Sequence, residues 1–322
     1  MIKTLKWFAS SFRADGVLTT LAYLKNILYL RYVRDFKKQP FIQKKIHGTN
    51  MYLDVNDPGI SRTLAIKGTR ERDQVYVVQR ELQKGMVVLD IGANIGSYAL
   101  LEASFVGSEG KVYAIEPSPQ NFELLNKNVA LNGLSDIIET CRVGAADRTG
   151  VAQFFVHEAS NLHTFHPEKY QQFRTGRNEF RETIDVEVVN ICEFIQGKRP
   201  IDFIRMDIEG YEVEVMEGMM QGIMEGSLSP KILFESHRPK YDDIHHSMRA
   251  QLTKLFDLGY YPKTLISTDE SRALFSEKKY TPQRVINTDG VKRGIYDGIS
   301  KKDAIEFICD IGYVRAVLLE RS

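Results

Sequence analysis

The chain has 322 residues, 43% of them hydrophobic, with 43 Lys and Arg against 42 Asp and Glu and a formal net charge of +1. That length and apolar content suffice for one large core with an appended subdomain, and the near-neutral charge gives no general reason to expect a nucleic-acid partner. Three widely spaced cysteines, Cys141, Cys192 and Cys309, suit a reducing cytoplasm better than a disulfide framework or a metal ribbon.

The opening Met-Ile-Lys-Thr-Leu-Lys-Trp-Phe lacks the apolar core and cleavage site of a secretory signal. No run reaches the roughly 18 uncharged apolar residues of a spanning helix, so a cytoplasmic location is expected. Charge is uneven, however: residues 1–45 hold ten Lys or Arg against Asp15 and Asp35. Val17 to Phe36 reads as a helix with Val17, Leu21, Leu24 and Leu28 on one stripe and Ile27, Leu30, Tyr32 and Val33 beside it. Such a helix docks on the main domain with its lysines solvated, or it meets an anionic membrane surface or a partner protein. Lys44 to Val55 predicts a hairpin turning near Gly48 and Asn50. Residues 1–65 are thus an extension and 66–322 the main domain, entered by a helix over Arg72 to Leu82.

Met86-Val-Val-Leu89 predicts a buried strand, followed by the turn Asp90-Ile-Gly-Ala-Asn-Ile-Gly96 and a helix from Ser97 to Ala103. A strand–turn–helix of this kind presents bare backbone at the carboxyl edge of a parallel sheet, where open α/β folds bind ligands. A second strand, Lys111 to Ile115, ends in Glu116-Pro117, and an ionised carboxylate there can accept both hydroxyls of a ribose. The spacing is not a dinucleotide fingerprint: Asn94 and Ser97 stand where G-x-G-x-x-G requires its second and third glycines.

A third strand, Ile137 to Val143, ends in Gly144-Ala-Ala-Asp147. The alternating runs Val151 to His157 and Ile184 to Val189 predict an inserted antiparallel excursion over about residues 150–190. Its long loop, Ala159 to Glu182, carries His163, His166, Tyr170, Arg174 and Arg177, and loops of that length are commonly functional or disordered. The fourth strand, Ile201 to Met206, ends in Asp207-Ile-Glu-Gly210, with Glu212, Glu214 and Glu217 expected on a solvated helix face. The fifth, Lys231 to Phe234, leads into Glu235-Ser-His-Arg238. His245-His246 is expected at the surface, Met248 to Leu258 as a helix, and Tyr313 to Leu319 as a late edge strand.

Three ordered blocks carry a resemblance over roughly residues 66–265: D-x-G-x-N-x-G from Asp90, E-P-x-P-x-x-F-x-x-L-x-x-N-x-x-x-N from Glu116, and D-x-E-G-x-E from Asp207. The first resembles the leading motif of class I S-adenosylmethionine methyltransferases, and together they resemble the FkbM family. That likeness implies a Rossmann-like α/β fold, a mostly parallel twisted sheet with helices on both faces. It also implies S-adenosylmethionine as cofactor and O-methylation of a sugar, glycan or other small-molecule hydroxyl. Asp90, Gly92, Ala93, Asn94 and Gly96 would then hold the methionine end, Glu116 and Pro117 the ribose, and Ala145, Ala146 and Asp147 the adenine. Gly68-Thr-Arg-Glu71 sits where such chains carry a segment capping the cofactor.

Removing the hydroxyl proton calls for a base or a metal. Asp207 is expected to face the cofactor amine and the acceptor hydroxyl, with Glu209 as base or orienter. His237 is a further candidate base, since an unperturbed imidazole titrates near 6.5. Asp207 and Glu235 could together bind a divalent cation, a route slightly less favoured than a metal-free one. Alternative readings are a nucleic-acid or protein methyltransferase, or a non-catalytic S-adenosylmethionine-binding module. A base methyltransferase would show an N-P-P-Y-like strand end or a Pro-Cys nucleophile, and neither is present.

Overall fold

The computed structural model describes residues 16–167, 180–237, 240–242, 244 and 246–322. Tyr170, Arg174, Arg177, Arg238 and His245 lie outside the described residues. Its centre is a nine-stranded sheet in the order β12 (Arg284–Thr288), β13 (Val291–Asp297), β11 (Tyr260–Ser267), β14 (Val314–Arg321), β10 (Lys231–Glu235), β9 (Phe203–Met206), β3 (Val87–Ile91), β4 (Lys111–Ile115) and β5 (Ile138–Cys141). The parallel half consists of β3 (Val87–Ile91), β4 (Lys111–Ile115), β5 (Ile138–Cys141), β9 (Phe203–Met206) and β10 (Lys231–Glu235). From β3 the chain moves outward through β4 and β5, then returns to β9 on the other side of β3. That reversal of direction opens the crevice at the carboxyl ends where doubly wound sheets bind ligands. The expected Rossmann-like architecture is therefore present.

The local reasons are readable. All five residues of β3 are buried, as a strand covered by helices on both faces requires. After β4, Ser118 caps helix α5 (Pro119–Leu131), accepting the Asn121 amide, while Pro119 occupies the first turn. Helices α4 (Ser97–Val106) and α7 (Glu212–Glu225) follow β3 and β9 in the same strand-to-helix manner. Apolar clusters fill both faces of the sheet.

The C-terminal half differs from expectation. Strand β14 (Val314–Arg321) is not an edge strand but lies between β10 and β11 (Tyr260–Ser267), antiparallel to both. Its central residues Ala316 to Leu319 are apolar and buried toward both faces, and the hairpin β12 (Arg284–Thr288) and β13 (Val291–Asp297) closes the edge beyond β11. That hairpin has too few apolar residues to stand out in the sequence.

The insert forms a separate three-stranded sheet of β6 (Gly144–Ala146), β8 (Phe180–Asn190) and β7 (Gly150–His157). Its small core centres on Phe154, Val156, Val186 and Val188, with Phe165 and Tyr211 packed against it. The N-terminal hairpin, β1 (Phe41–Ile46) and β2 (Thr49–Asp54), leans on α5, where Asn128 Oδ1 accepts the Tyr52 amide at 2.6 Å. Helix α1 (Val17–Tyr32) docks through Thr20 and, just past its end, Val33, with Asn26 donating to the Ile66 carbonyl at 2.7 Å. Of the expected stripe, Val17, Leu21 and Leu28 are exposed, joined by Leu18 and Phe36. No described helix is long and apolar enough to cross a membrane.

Candidate active site

Sheet register sets the first contact. Asp90 on β3 pairs in register with Arg205 on β9, and Arg205 donates to Asp90 at 3.2 Å and to Asp207 at 3.2 Å. The guanidinium also lies 3.6 Å from the Tyr98 ring centroid. Asp90 is fully buried, so it anchors the strand end from beneath and lines no crevice.

Gly92 (φ 81°) must be glycine, because a Cβ would stand 2.3 Å from the Asp207 carbonyl oxygen. Asn94 is also left-handed (φ 51°). Its amide donates to Glu116 at 2.9 Å, and its side chain donates to the Ser160 carbonyl of the insert at 2.9 Å. Glu116 accepts the Ser118 amide as well, at 2.9 Å. Burial raises the Glu116 carboxyl to a pKa of about 7 against the opposing pull of these amides.

A crevice of about 500 Å³, counting its open mouth, runs between this edge and the insert. Gly92, Asn94, Glu116, Pro117, Ala145, Asp207 and Glu209 line it on the sheet side, and Phe154, Ser160, His163, Phe165 and Tyr211 on the other. A second crevice, on the far side of the Gly92–Asn94 turn, is bounded by Ala93, Arg70, Glu71, Tyr98, Arg205 and Asp207. Besides Asp90, three more of the residues expected at the cofactor stand apart from both. Gly96 packs on Leu125, where a Cβ would approach to 2.7 Å. Ala146 belongs to the core of the insert, and Asp147 turns outward beside Arg148. Strand β6 leaves the main sheet for the insert, so of the three residues expected at the adenine Ala145 alone lines the crevice, beside Gly144.

Behind Asp207 lies a dense charge lattice. Glu235 pairs with Arg315 of β14, accepts Gln74 at 3.1 Å and has the His237 ring nitrogen 3.4 Å away. Glu71, itself left-handed (φ 51°), takes Arg70 at 2.7 Å and Arg315 at 2.9 Å. Glu209 (φ 53°) is held by Lys240 at 2.6 Å. Three strained non-glycine residues, Glu71, Asn94 and Glu209, thus surround one site, as is common where geometry serves function. Burial pushes Asp207 up, Glu235 adds to the rise and Arg205 opposes it, leaving a pKa of about 7. For Glu235, burial is overcome by Arg315 and His237, and its pKa lies far below the usual range.

His237 is corrected from candidate base to fixed cation. Burial alone would lower its pKa, but Glu212, Glu209 and Glu235 outweigh that and hold it well above 6.5. An imidazolium has no lone pair to accept a proton. Its Nδ1 lies 2.9 Å from Glu212, whose other oxygen accepts the Tyr241 hydroxyl at 3.0 Å. Glu212 is therefore fully buried rather than on a solvated face; Glu214 is mostly covered, and Glu217 alone of the three is exposed. His246 is likewise buried, not at the surface.

Glu71, Asp207 and Glu235 bring carboxylate oxygens within 4.8 Å of one another, and in a second grouping a His237 ring nitrogen meets carboxylate oxygens of Asp207 and Glu209 over the same distance. Arg205, Arg315, Arg70 and Lys240 already lie against these groups. A divalent ion would have to displace a guanidinium or an ammonium. Sequence reasoning does not single out Arg205 or Arg315, although the first is the lone cation of an apolar strand and the second interrupts the apolar run Val314–Leu319. Charged residues are almost never fully buried unless paired, and that was the available signal.

A family model described as the methyltransferase FkbM domain matches residues 90–261. The 31-O-demethyl-FK506 methyltransferase FkbM of Streptomyces tacrolimicus is 29% identical over 162 residues, 43% of this chain and 61% of the relative. The hexuronic acid methyltransferase AglP of Haloferax volcanii is 24% identical over 156 residues, 48% of this chain and 58% of the relative. The chain thus spans about three-fifths of the length of these curated relatives. Among solved structures, a methyltransferase FkbM from Methylobacillus flagellatus KT aligns at 17% identity with a TM-score of 0.41, covering 74% of this chain and 52% of that one.

Proposed function

The chain belongs to the methyltransferase FkbM domain family, and from that premise we propose that it methylates a hydroxyl of a sugar, glycan or other small molecule at the expense of S-adenosylmethionine. The observation that carries this reading is Asp207, a carboxylate at the crevice wall with a pKa of about 7. A base is most effective when its pKa lies near the working pH.

The residues present fit the cofactor. Glu116 keeps acceptor capacity beyond the two amides it binds and would take the ribose hydroxyls. The turn at Gly92 and Asn94 allows close approach to the methionine end, with Arg70 and Glu71 facing it from the second crevice. Ala145, Phe154 and Phe165 offer apolar surface for the adenine. The sulfonium supplies an already activated methyl, so the tasks left to the protein are positioning and exclusion of water.

Asp207 would accept the acceptor's hydroxyl proton. Glu209, tied to Lys240 at 2.6 Å, would orient the acceptor, while Arg205, Arg315 and His237 hold the carboxylates in place. The route is metal-free, because the chain's own cations already compensate the cluster. Support for a hydroxyl acceptor comes from this acidic strand end and from the relatives named for 31-O-demethyl-FK506 and a hexuronic acid.

A screen with methyl-labelled cofactor against sugars, polyketides, proteins, tRNA and DNA tests the reading. Label is expected in a hydroxylated small molecule; label in nucleic acid or protein alone would reject it. Acceleration of a chelator-treated sample by Mg²⁺ or Mn²⁺ would reject the metal-free route.

A further inference from the structure

On the far side of Tyr211 from the crevice, three side chains from separate segments meet: His166 of the insert, Glu214 in the first turn of α7, and His246 ahead of α8 (Met248–Asp257). Glu214 Oε1 lies 2.9 Å from His166 Nε2 and 2.7 Å from His246 Nδ1. All three ligand atoms fall within 4.8 Å of one another. The imidazole rings stand 4.8 Å apart, nearly perpendicular.

Proton positions decide what this cluster is. His246 Nε2 lies 2.8 Å from the Gly210 carbonyl. A carbonyl only accepts, so Nε2 carries the hydrogen. In the neutral ring, Nδ1 is then a bare lone pair aimed at a carboxylate oxygen, a contact that is repulsive without a positive centre between them. A proton on Nδ1 would supply it for His246 alone, with a neutral His166 donating its Nε2 hydrogen to the same Glu214 oxygen. One divalent ion satisfies both rings at once. The Gly210 carbonyl is also the outer partner that characteristically orients a metal-bound histidine. The other carboxylate oxygen, Glu214 Oε2, is buried with no hydrogen-bond partner among the described residues.

We infer that His166, Glu214 and His246 form a zinc-binding site that clasps the insert to the main domain. Two imidazoles and one carboxylate are a known Zn²⁺ donor set, with ligand bonds of about 2.0–2.2 Å and a fourth position for water. Donor atoms of a tetrahedral site with such bonds sit about 3.3 Å apart, so the two Glu214 contacts would each open by a few tenths of an ångström to accommodate the ion. His166 and Glu214 are each about one-fifth exposed, which leaves a path for entry. The consequence reaches the crevice, because Phe165, next to His166, and Tyr211, whose ring lies 5.1 Å from that of His166, pack tilted at 4.7 Å and line it. A metal here would fix that aromatic wall without taking part in the chemistry.

The test uses the purified full chain, stripped with a chelator and titrated with Zn²⁺ by calorimetry, with metal content read by mass spectrometry and Co²⁺ substituted for its ligand-field spectrum. One Zn²⁺ per chain and a four-coordinate Co²⁺ spectrum are expected. His166→Ala, on the half-exposed loop, should weaken binding by at least the roughly 10–100-fold that even an outer partner of a metal ligand is worth. Glu214→Gln should do the same, and Glu217→Gln, at the exposed glutamate of the same helix, should leave binding unchanged. The assignment is overturned if the stripped chain takes up no Zn²⁺, if the ion survives in both His166→Ala and Glu214→Gln, or if it is lost in Glu217→Gln instead. Circular dichroism of His166→Ala separates a lost ligand from a lost fold.

Discussion

The ends of β4 and β9 both present a carboxylate with a pKa of about 7, yet they reach it by different means. Glu116 is buried among amides of its own neighbourhood, Ser118 two residues on and Asn94 in the adjoining turn. Asp207 sits among charges brought from across the chain: Glu235 raises its pKa, and Arg205, itself tied to Asp90 and near Glu71, lowers it. The first end is a recognition surface made mainly of amides, to which the Asn121 side chain also contributes. The second is a lattice in which moving any one charge alters the rest. A hydrogen-bonding site for a neutral ribose suits the first; a proton acceptor needs the tunable environment of the second.

The largest expected effect tests whether the lattice holds the fold. Arg205→Met leaves Asp90 buried without its partner, and breaking a buried pair from one side typically costs about 3–5 kcal/mol. Denaturant unfolding should show a loss of that order, and unchanged stability would mean that the lattice does not carry the strand ends. Next, Asp207→Asn should lower the methyl-transfer rate by roughly 10²–10⁴-fold, the usual contribution of a general base, while cofactor affinity stays near that of the unsubstituted protein. Equal losses in rate and affinity would erase the distinction between the two ends.

Glu116→Ala reverses the pattern. Cofactor affinity should fall about tenfold or more, since a hydrogen bond to a charged group is worth about 1.5–3 kcal/mol, and the rate at saturating cofactor should persist. Calorimetry alongside single-turnover kinetics separates these outcomes. The smallest effect is in pH. Only ionised Asp207 can accept the proton, so the saturated rate should climb with pH up to about 7 and level above it. Glu116 also titrates near 7, but it should shape the pH dependence of cofactor affinity instead. If Glu116→Gln shifts the rate profile and Asp207→Asn leaves it in place, the two roles are exchanged.

Much of the parallel half was legible because its signals are local. A continuous apolar run at Val87–Ile91 forms a buried strand, glycine at 92 admits the left-handed turn, and Ser118-Pro119 starts a helix wherever it occurs. Glu116 belongs to the same class, since its partners lie within the motif and one adjoining turn. The loss of Ala146 and Asp147 from the crevice was not legible, because strand pairing moved β6 to another sheet. The exposure of Glu212 and His246 was misjudged for a related reason: a polar residue reads as solvated until a partner is known. Glu212 is buried by His237 and Tyr241, 25 and 29 residues away, and His246 by Gly210, 36 residues away. Arg315 reaches Glu71 across 244 positions only because β14 inserts between β10 and β11. Sequence by itself determined where strands end and which carboxylates stand at those ends, because turn geometry and apolar periodicity act over a few residues. Tertiary structure alone decided which carboxylates stay near neutrality and which are ionised, because electrostatic energy in a buried site depends on distances that only the folded sheet defines.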